Sequence, residues 1–311
     1  MSNDASPWNL GGLTLRGLAR RVWRAIEKDE ISDRAAALSY YFLFSLFPAL
    51  LFLTALLGLL PVPDLMDRFM SYFAEALPDD AASVVQKTLT EIIRGAHGGL
   101  LSIGMLGALW AGSNGMGSVM TALNVAYHVS ETRPWWKRRL IAMALTIGFA
   151  LLILTALVLL VFGPRLGSAL AGWFGLGTGF MAAWNVVSVL VVICFVLAGI
   201  ALVYYLAPDA RQHWWWVTPG SAVALVLWLA MSFGLRLYVT HVANYNATYG
   251  SIGGVILLTL WLYLTGIVLL LGAEVNSEIE FAAAQRGDST AKLPGEHVPG
   301  EHRPRRQRPA A

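Results

Sequence analysis

Six runs free of charged residues divide the chain, at 35–60, 98–127, 140–163, 182–207, 217–235 and 250–273. Each reaches the roughly 17–25 apolar residues a helix needs to cross a bilayer. Inside lipid the backbone must satisfy its own hydrogen bonds, which leaves helices and closed barrels. Barrel strands alternate apolar and polar residues over about ten positions. These runs are longer and do not alternate, so they predict helices. The expected fold class is all-α, an integral membrane bundle of six transmembrane helices with amphipathic interfacial helices.

The intervening segments carry other patterns. In 13–29, Leu15, Leu18, Ala19, Val22 and Ile26 recur at helical spacing, with Arg16, Arg20, Arg21, Arg24 and Lys28 on the opposite face. A basic amphipathic helix before a span lies on an anionic leaflet, or else packs as an ordinary cytoplasmic helix. In 61–97, Leu65, Phe69, Phe73 and Leu77, then Val85, Leu89, Ile92 and Ile93, predict two short amphipathic helices over the outer mouth. From Gln285 onward Pro, Gly, Arg, Glu and His alternate without an apolar period, which predicts disorder. The expected organisation is a cytoplasmic arm at 1–34, a transmembrane domain at 35–283 and a disordered cytoplasmic tail at 284–311.

Composition agrees: 57% of residues are hydrophobic and only 13% charged, about half the charged share of a soluble domain. Of the 22 Lys and Arg, seventeen fall in alternate loops and tails on one side of the six runs and five on the other. Cytoplasmic loops collect these residues, so both termini are expected in the cytoplasm of a bacterial cell, with the protein in the inner membrane. Trp135–Trp136 and Trp214–Trp216 fall at the expected inner boundaries, where indoles favour headgroups. The excess positive charge is absorbed by topology, and no nucleic-acid partner is expected. The single cysteine, Cys194, excludes an internal disulfide and is expected as a small buried hydrophobe.

Polar residues inside spans are costly and therefore candidate functional positions. In the first span Ser39, Tyr40, Tyr41 and Ser45 precede Pro48, which removes a backbone donor and predicts a kink. That kink is either a hinge or groove wall, or a packing feature whose freed carbonyl a hydroxyl satisfies. In the second span Trp110, Ser113 and Asn114 lie near mid-membrane and Asn124 near the inner end. The asparagines either bond a neighbouring helix or line a polar cavity. The rows Gly104–Ala108–Gly112 and Gly107–Ala111–Gly115 predict close helix approach. At the inner boundary Asp33 and Arg34, Glu131 and Arg133, Asp209 and Arg211, and Glu274 and Asn276 form either a salt-bridged ring or independent solvated charges.

Enzyme constellations are missing from the sequence. The six uncharged runs offer no paired carboxylates, and the six histidines lack ligand spacing. No glycine-rich phosphate loop with its lysine is present. No enzyme activity, metal or cofactor is expected.

The segments DRAAALSYYFLFSLFPALL, WAGSNGMGSVMTALNVAYHVSETRPWWKRR, YYLAPDARQHWWWVTPGS and YGSIGGVILLTLWLYLTGIVLLLGAEVN, in this order, resemble the YihY/BrkB family of bacterial inner-membrane proteins. The resemblance implies a six-helix inner-membrane protein. Its motif positions in this chain include Arg34, Ser39, Tyr40, Pro48, Trp110, Ser113, Asn124, Arg133, Pro208, Tyr249, Gly250, Trp261, Gly272 and Glu274. Members are labelled ribonuclease BN-like and virulence factor, but the metal cluster of a zinc ribonuclease is missing here. The expectation is a transporter, or a translocation helper, for a lipid-like or amphipathic substrate, without its own ATPase. The alternative is a non-transporting scaffold in envelope assembly. Membrane lipids are the expected partners, with a second copy or an envelope protein left open.

Overall fold

The computed structural model describes residues 6–58, 100–174, 178–241 and 251–301. Among them every regular element is helical. After a 3-10 turn at Pro7–Gly12 come α1 (Leu15–Lys28), α2 (Ile31–Gly58), α3 (Leu100–Ala126), α4 (Trp135–Phe174), α5 (Thr178–Leu206), α6 (Trp214–His241) and α7 (Ser251–Gln285). The two amphipathic helices expected within 61–97 lie outside the described residues, as do Tyr249 and Gly250.

Four of these helices contain stretches long and apolar enough to cross a membrane: Trp135–Ala156, Gly179–Leu206, Trp214–Thr240 and Gly253–Gln285. Six crossings were expected. The first two expected runs do form helices, of 28 and 27 residues, but α2 and α3 are not among the four. Both runs continue into residues outside those described.

Helix ends also depart from the expected boundaries. The third uncharged run begins at residue 140, yet α4 begins at Trp135 and carries Lys137, Arg138 and Arg139 in its first turns. These cations were expected in a loop, and the expectation of charge-free spans is corrected with them. The last uncharged run ends at Ala273, but α7 continues to Gln285 with Glu274, Asn276, Ser277 and Glu280 all buried. Charge marks where lipid ends, whereas a helix continues as long as its faces find partners.

Those partners are at the charged end of the bundle. Ala35, Leu38, Met120, Leu123, Tyr127, Tyr204, Val217 and Leu270 form a buried core joining α2, α3, α5, α6 and α7. Beside it Leu18 of α1, Trp216, Ile279, Ala283 and Ala291 form a smaller core. The amphipathic α1, N-capped by Thr14 through Gly17 N at 3.1 Å, packs on α7. Trp216 is likewise buried in protein, unlike Trp135, Trp136 and Trp215.

The segment after Gln285 was expected to be disordered, but through residue 301 it folds back onto this end. Lys292 is 1% exposed and faces Glu280 at 3.5 Å, and Arg211 N donates to the His297 carbonyl at 2.7 Å. The tail supplies a cation to the buried Glu280 and adds Ala291 and Leu293 to the smaller core. Cys194, expected to be buried, is exposed on α5. In lipid an apolar side chain gains little by turning inward.

Close approach brings α2 and α3 together. A Cβ at Gly112 would meet the Ala49 backbone at 3.3 Å, and one at Gly115 would meet Ser45 Oγ at 2.5 Å. The second glycine row thus works partly as expected: at Gly107 a Cβ would meet nothing.

Candidate functional site

Contact between α2 and α3 stops short of closing the space beside α4. There a groove of about 810 Å³ opens, lined by Arg34, Tyr40, Tyr41, Phe44 and Ser45 of α2, Trp110, Asn114, Ser118 and Thr121 of α3, and Trp135, Arg138 and Arg139 of α4. Apolar and aromatic side chains form its walls, and Tyr40 and Phe44 at its rim are 57% and 64% exposed.

Two arginines of α4 provide the polar track. Arg138 Nη2 donates to the Gly117 carbonyl at 3.0 Å and to Thr121 Oγ1 at 2.5 Å. Arg139 Nη1 donates to Asn114 Oδ1 at 2.7 Å, and its Nη2 donates to the Trp110 carbonyl. Its guanidinium carbon sits 4.0 Å from the Trp110 ring centroid, a cation–π stack. Asn114 lies twelve residues before the α3 terminus Ala126, roughly 18 Å along the axis at 1.5 Å per residue. Arg139 therefore points inward along the bundle rather than toward its charged end. Its Nε is buried with no partner among the described residues.

Of the sequence-predicted positions, the groove gathers Arg34, Tyr40, Tyr41, Ser45, Trp110 and Asn114. Asn114 thus takes both expected roles, bonding a neighbouring helix and lining a cavity. Ser39 and Ser113 turn away, donating to the carbonyls of Ala36 and Trp110 at 2.8 Å each. Pro48 lies within α2, one turn beyond Ser45, whose hydroxyl donates to the Phe42 carbonyl at 3.2 Å. Tyr249 is outside the described residues. Arg138, Arg139, Thr121 and Trp135 were missed as site residues.

The inner-boundary charges, expected as a salt-bridged ring or as independent groups, form distinct sets. The first is a clasp between the α3–α4 and α5–α6 loops. Arg133 donates from Nε to Glu131 Oε1 at 2.6 Å and from Nη2 to the Ala207 carbonyl at 2.9 Å, and lies 3.5 Å from Asp209 Oδ1. Asn124 donates to Glu131 at 2.9 Å and accepts from Asp209 N at 2.7 Å. Thr132 donates to Asp209 through its backbone at 2.7 Å and its hydroxyl at 2.6 Å. Burial raises both carboxyl pKa values, but these bonds and the Arg133 charge outweigh it and hold Glu131 and Asp209 below their ordinary values.

The second set lies at the α1–α2 corner. Arg34 Nε donates to the Asp29 carbonyl at 2.7 Å, and the Asp29 carboxylate meets His128 Nε2 at 2.9 Å. Glu274 is fully buried near this corner and pairs with neither Arg34 nor a clasp residue among the described contacts. Asn276 is bound instead into the α6–α7 seam, accepting from Gly220 N at 2.6 Å and donating to the Val217 carbonyl at 3.0 Å. Among the described residues no group of three or more His, Cys, Asp or Glu is placed to hold a metal ion.

Four helices long and apolar enough to cross a bilayer, packed with the groove's helices in one bundle, mark an α-helical membrane protein. The chain belongs to the family described as Virulence factor BrkB, whose model matches residues 22–294. It is 37% identical over 248 residues to the protein of Bacillus subtilis (strain 168) named ribonuclease-like protein YfkH, covering 80% of this chain and 90% of that one. It is 27% identical over 267 residues to a UPF0761 membrane protein of Stenotrophomonas maltophilia (strain K279a), covering 84% of this chain and 60% of that one. A UPF0761 membrane protein of Tolumonas auensis is 26% identical over 286 residues, with 86% of each chain covered. The chain thus spans well under two thirds of the Stenotrophomonas relative. No solved structure matches it.

Proposed function

We propose that this protein crosses the bacterial inner membrane six times, with both termini in the cytoplasm, and moves or helps move a lipid-like amphipathic substrate without hydrolysing ATP. The observation that carries the reading is the groove between α2, α3 and α4. Its volume of about 810 Å³ falls within the range of small-molecule sites, roughly 300–1,000 Å³. Its cationic and hydroxyl track suits a headgroup, while its exposed aromatic rim suits acyl chains left in the bilayer.

Headgroup passage through hydrocarbon is costly because its polar atoms lose water. A groove that replaces part of that water with Asn114, Thr121 and two guanidinium forks lowers the cost without energy input. Net movement then follows the lipid gradient or a partner. Orientation with the clasp facing the cytoplasm agrees with the distribution of Lys and Arg. The scaffold alternative and a hydrolase both leave an open cationic groove unexplained.

Purified protein in liposomes, tested for loss of fluorescent lipid from the outer leaflet under dithionite, checks this. The wild type is expected to accelerate exchange and Asn114→Leu to slow it. Exchange no faster than in protein-free liposomes, across several headgroups, overturns the reading.

A further inference from the structure

We infer that the groove selects the phosphate headgroup of an anionic lipid, held by the forks of Arg138 and Arg139 with Arg34 at the mouth. This rests on the lipid-handling reading above and names its substrate class.

Charge balance is the first ground. Arg34, Arg138 and Arg139 all line the groove, and among its described lining residues there is no Asp or Glu. Glu131 approaches Arg138 Nε only to 3.9 Å, from outside the lining. Among the described residues no carboxylate lies within ion-pair distance of Arg34 or Arg139. Arg138 shares Glu131 with the clasp, whereas Arg139, reaching Asn114 well inside α3, has no counter-ion among the described residues; such a cation is expensive in a bilayer and marks a place where a charge is meant to arrive.

Donor geometry is the second. A guanidinium presents five N–H donors in a planar fork. Arg139 spends donors on Asn114 and Trp110, and its buried Nε has no partner. Arg138 uses Nη2 on α3. The bonds to α3 hold each guanidinium against that helix, and the Nη hydrogens they leave over are the donors an anionic oxygen can reach, the buried Nε of Arg139 being closed to a ligand. A carboxylate would satisfy one fork. An anionic phosphate diester can accept from the free donors of either fork, and its negative charge meets a track whose described lining holds no carboxylate.

The walls argue that this phosphate arrives on a lipid. Tyr40, Phe44 and Trp110 border the track, and Tyr40 and Phe44 are more than half exposed, so a bound headgroup leaves its chains against aromatic surface. A free anion has no use for such a rim.

The full chain in detergent is titrated with short-chain phosphatidylglycerol, with phosphatidylcholine of the same chains, and with inorganic phosphate, and bound ligand is counted by native mass spectrometry. Phosphatidylglycerol is expected to bind about tenfold tighter than phosphatidylcholine, the size of one charge-assisted contact. Arg139→Gln and Arg138→Gln are expected to erase most of that preference, and Arg139→Lys to restore only part, because an ammonium lacks the fork. Lys137→Gln, exposed and outside the groove, is expected to leave it unchanged. Should the α4 variants unfold, the wild-type headgroup series still decides. Equal binding of the two lipids, inorganic phosphate competing as well as the anionic lipid, or Lys137→Gln costing as much as Arg139→Gln would each overturn the assignment. Lipid exchange without headgroup preference removes this inference and leaves the lipid-moving role; selective binding without exchange does the reverse.

Discussion

Arg139 lies over the ring of Trp110, its guanidinium carbon 4.0 Å from the ring centroid, and bonds the carbonyl of the same residue. One aromatic residue therefore sets both the plane and the depth of the groove's innermost cation. A cation–π contact of this kind contributes about 0.5–2 kcal/mol, more as water is excluded. Trp110→Leu keeps an apolar side chain but removes the ring, so the guanidinium keeps its carbonyl and Asn114 bonds and loses its stacking plane. Lipid exchange in liposomes is expected to slow several-fold while the unfolding temperature in detergent changes little. A variant that exchanges lipid at the wild-type rate would show that the stack positions nothing of consequence.

The clasp is expected to carry stability rather than transport. Arg133 bonds Glu131 and Ala207 and neighbours Asp209, with its side chain 8% exposed. Removing it leaves two partly buried carboxylates facing each other, a change worth about 2–4 kcal/mol from hydrogen bonds to charge and from unpaired ions. Arg133→Ala should lower the unfolding temperature clearly, and Arg133→Lys should rescue little because one ammonium cannot replace the fork. Thermal unfolding of the detergent-solubilised protein reads both.

Acid tests the same contacts. Glu131 and Asp209 have folded pKa values below their ordinary 4.5 and 3.8, because hydrogen bonds and the Arg133 charge outweigh burial. In the unfolded chain these groups protonate near the ordinary values, so the stability they add is complete above them and is lost as pH falls through the lower folded values. The contribution of Arg133 to the unfolding temperature, wild type minus Arg133→Gln, should be constant between pH 7 and pH 5 and shrink below about pH 4. A difference that shrinks between pH 7 and pH 6 would point to histidines instead.

These sites were unevenly legible. Uncharged runs located the middle of α2 to α7, because lipid excludes charge whatever else a helix does. They failed at helix ends, where Arg138 and Arg139 were counted as loop cations although α4 had already begun at Trp135. Ala142, which lines the groove four residues after Arg138, was the available signal: the two share one helical face. The inner-boundary charges, expected as a ring or as independent groups, were only partly legible for a different reason. Glu131, Arg133 and Asp209 meet only because two loops cross, and no spacing along the chain encodes that crossing. Order in 286–301 was hidden because scattered contacts hold it, the Lys292–Glu280 pair, Ala291 in the smaller core and His297 at the α5–α6 loop, and no apolar period announces them.

Glycine spacing yields a sharper test than glycine count. Alanine is better than glycine in a helix by about 0.5–1 kcal/mol when the site is open. At Gly107, where an added Cβ meets nothing, Gly107→Ala should be neutral or stabilising. At Gly115 the Cβ would sit 2.5 Å from Ser45 Oγ, so Gly115→Ala should destabilise by forcing α2 from α3 or the serine from its rotamer. Gly115→Ala combined with Ser45→Ala should recover most of the loss. A double-mutant cycle on unfolding temperature measures that coupling, and additivity would mean that the helices yield freely here.

Lys292 and Glu280 offer the clearest separation between an ion pair and the groups that compose it. They stand 3.5 Å apart, with side chains 1% and 0% exposed, and Lys292 N also donates to Glu280 Oε1 at 3.2 Å. Burial pushes the Lys292 ammonium below its ordinary pKa against the pull of Glu280 and Glu296. Breaking such a pair from one side leaves an uncompensated buried charge and costs about 3–5 kcal/mol, whereas replacing both partners with apolar residues is often neutral. Lys292→Met alone should therefore release the segment 286–301, seen as new protease cleavage there and faster amide exchange in the last turns of α7. Lys292→Met with Glu280→Leu should keep the segment docked. Release by the double variant as well would show that the charge pair, and not burial of the segment as a whole, fastens this end of the chain to α7.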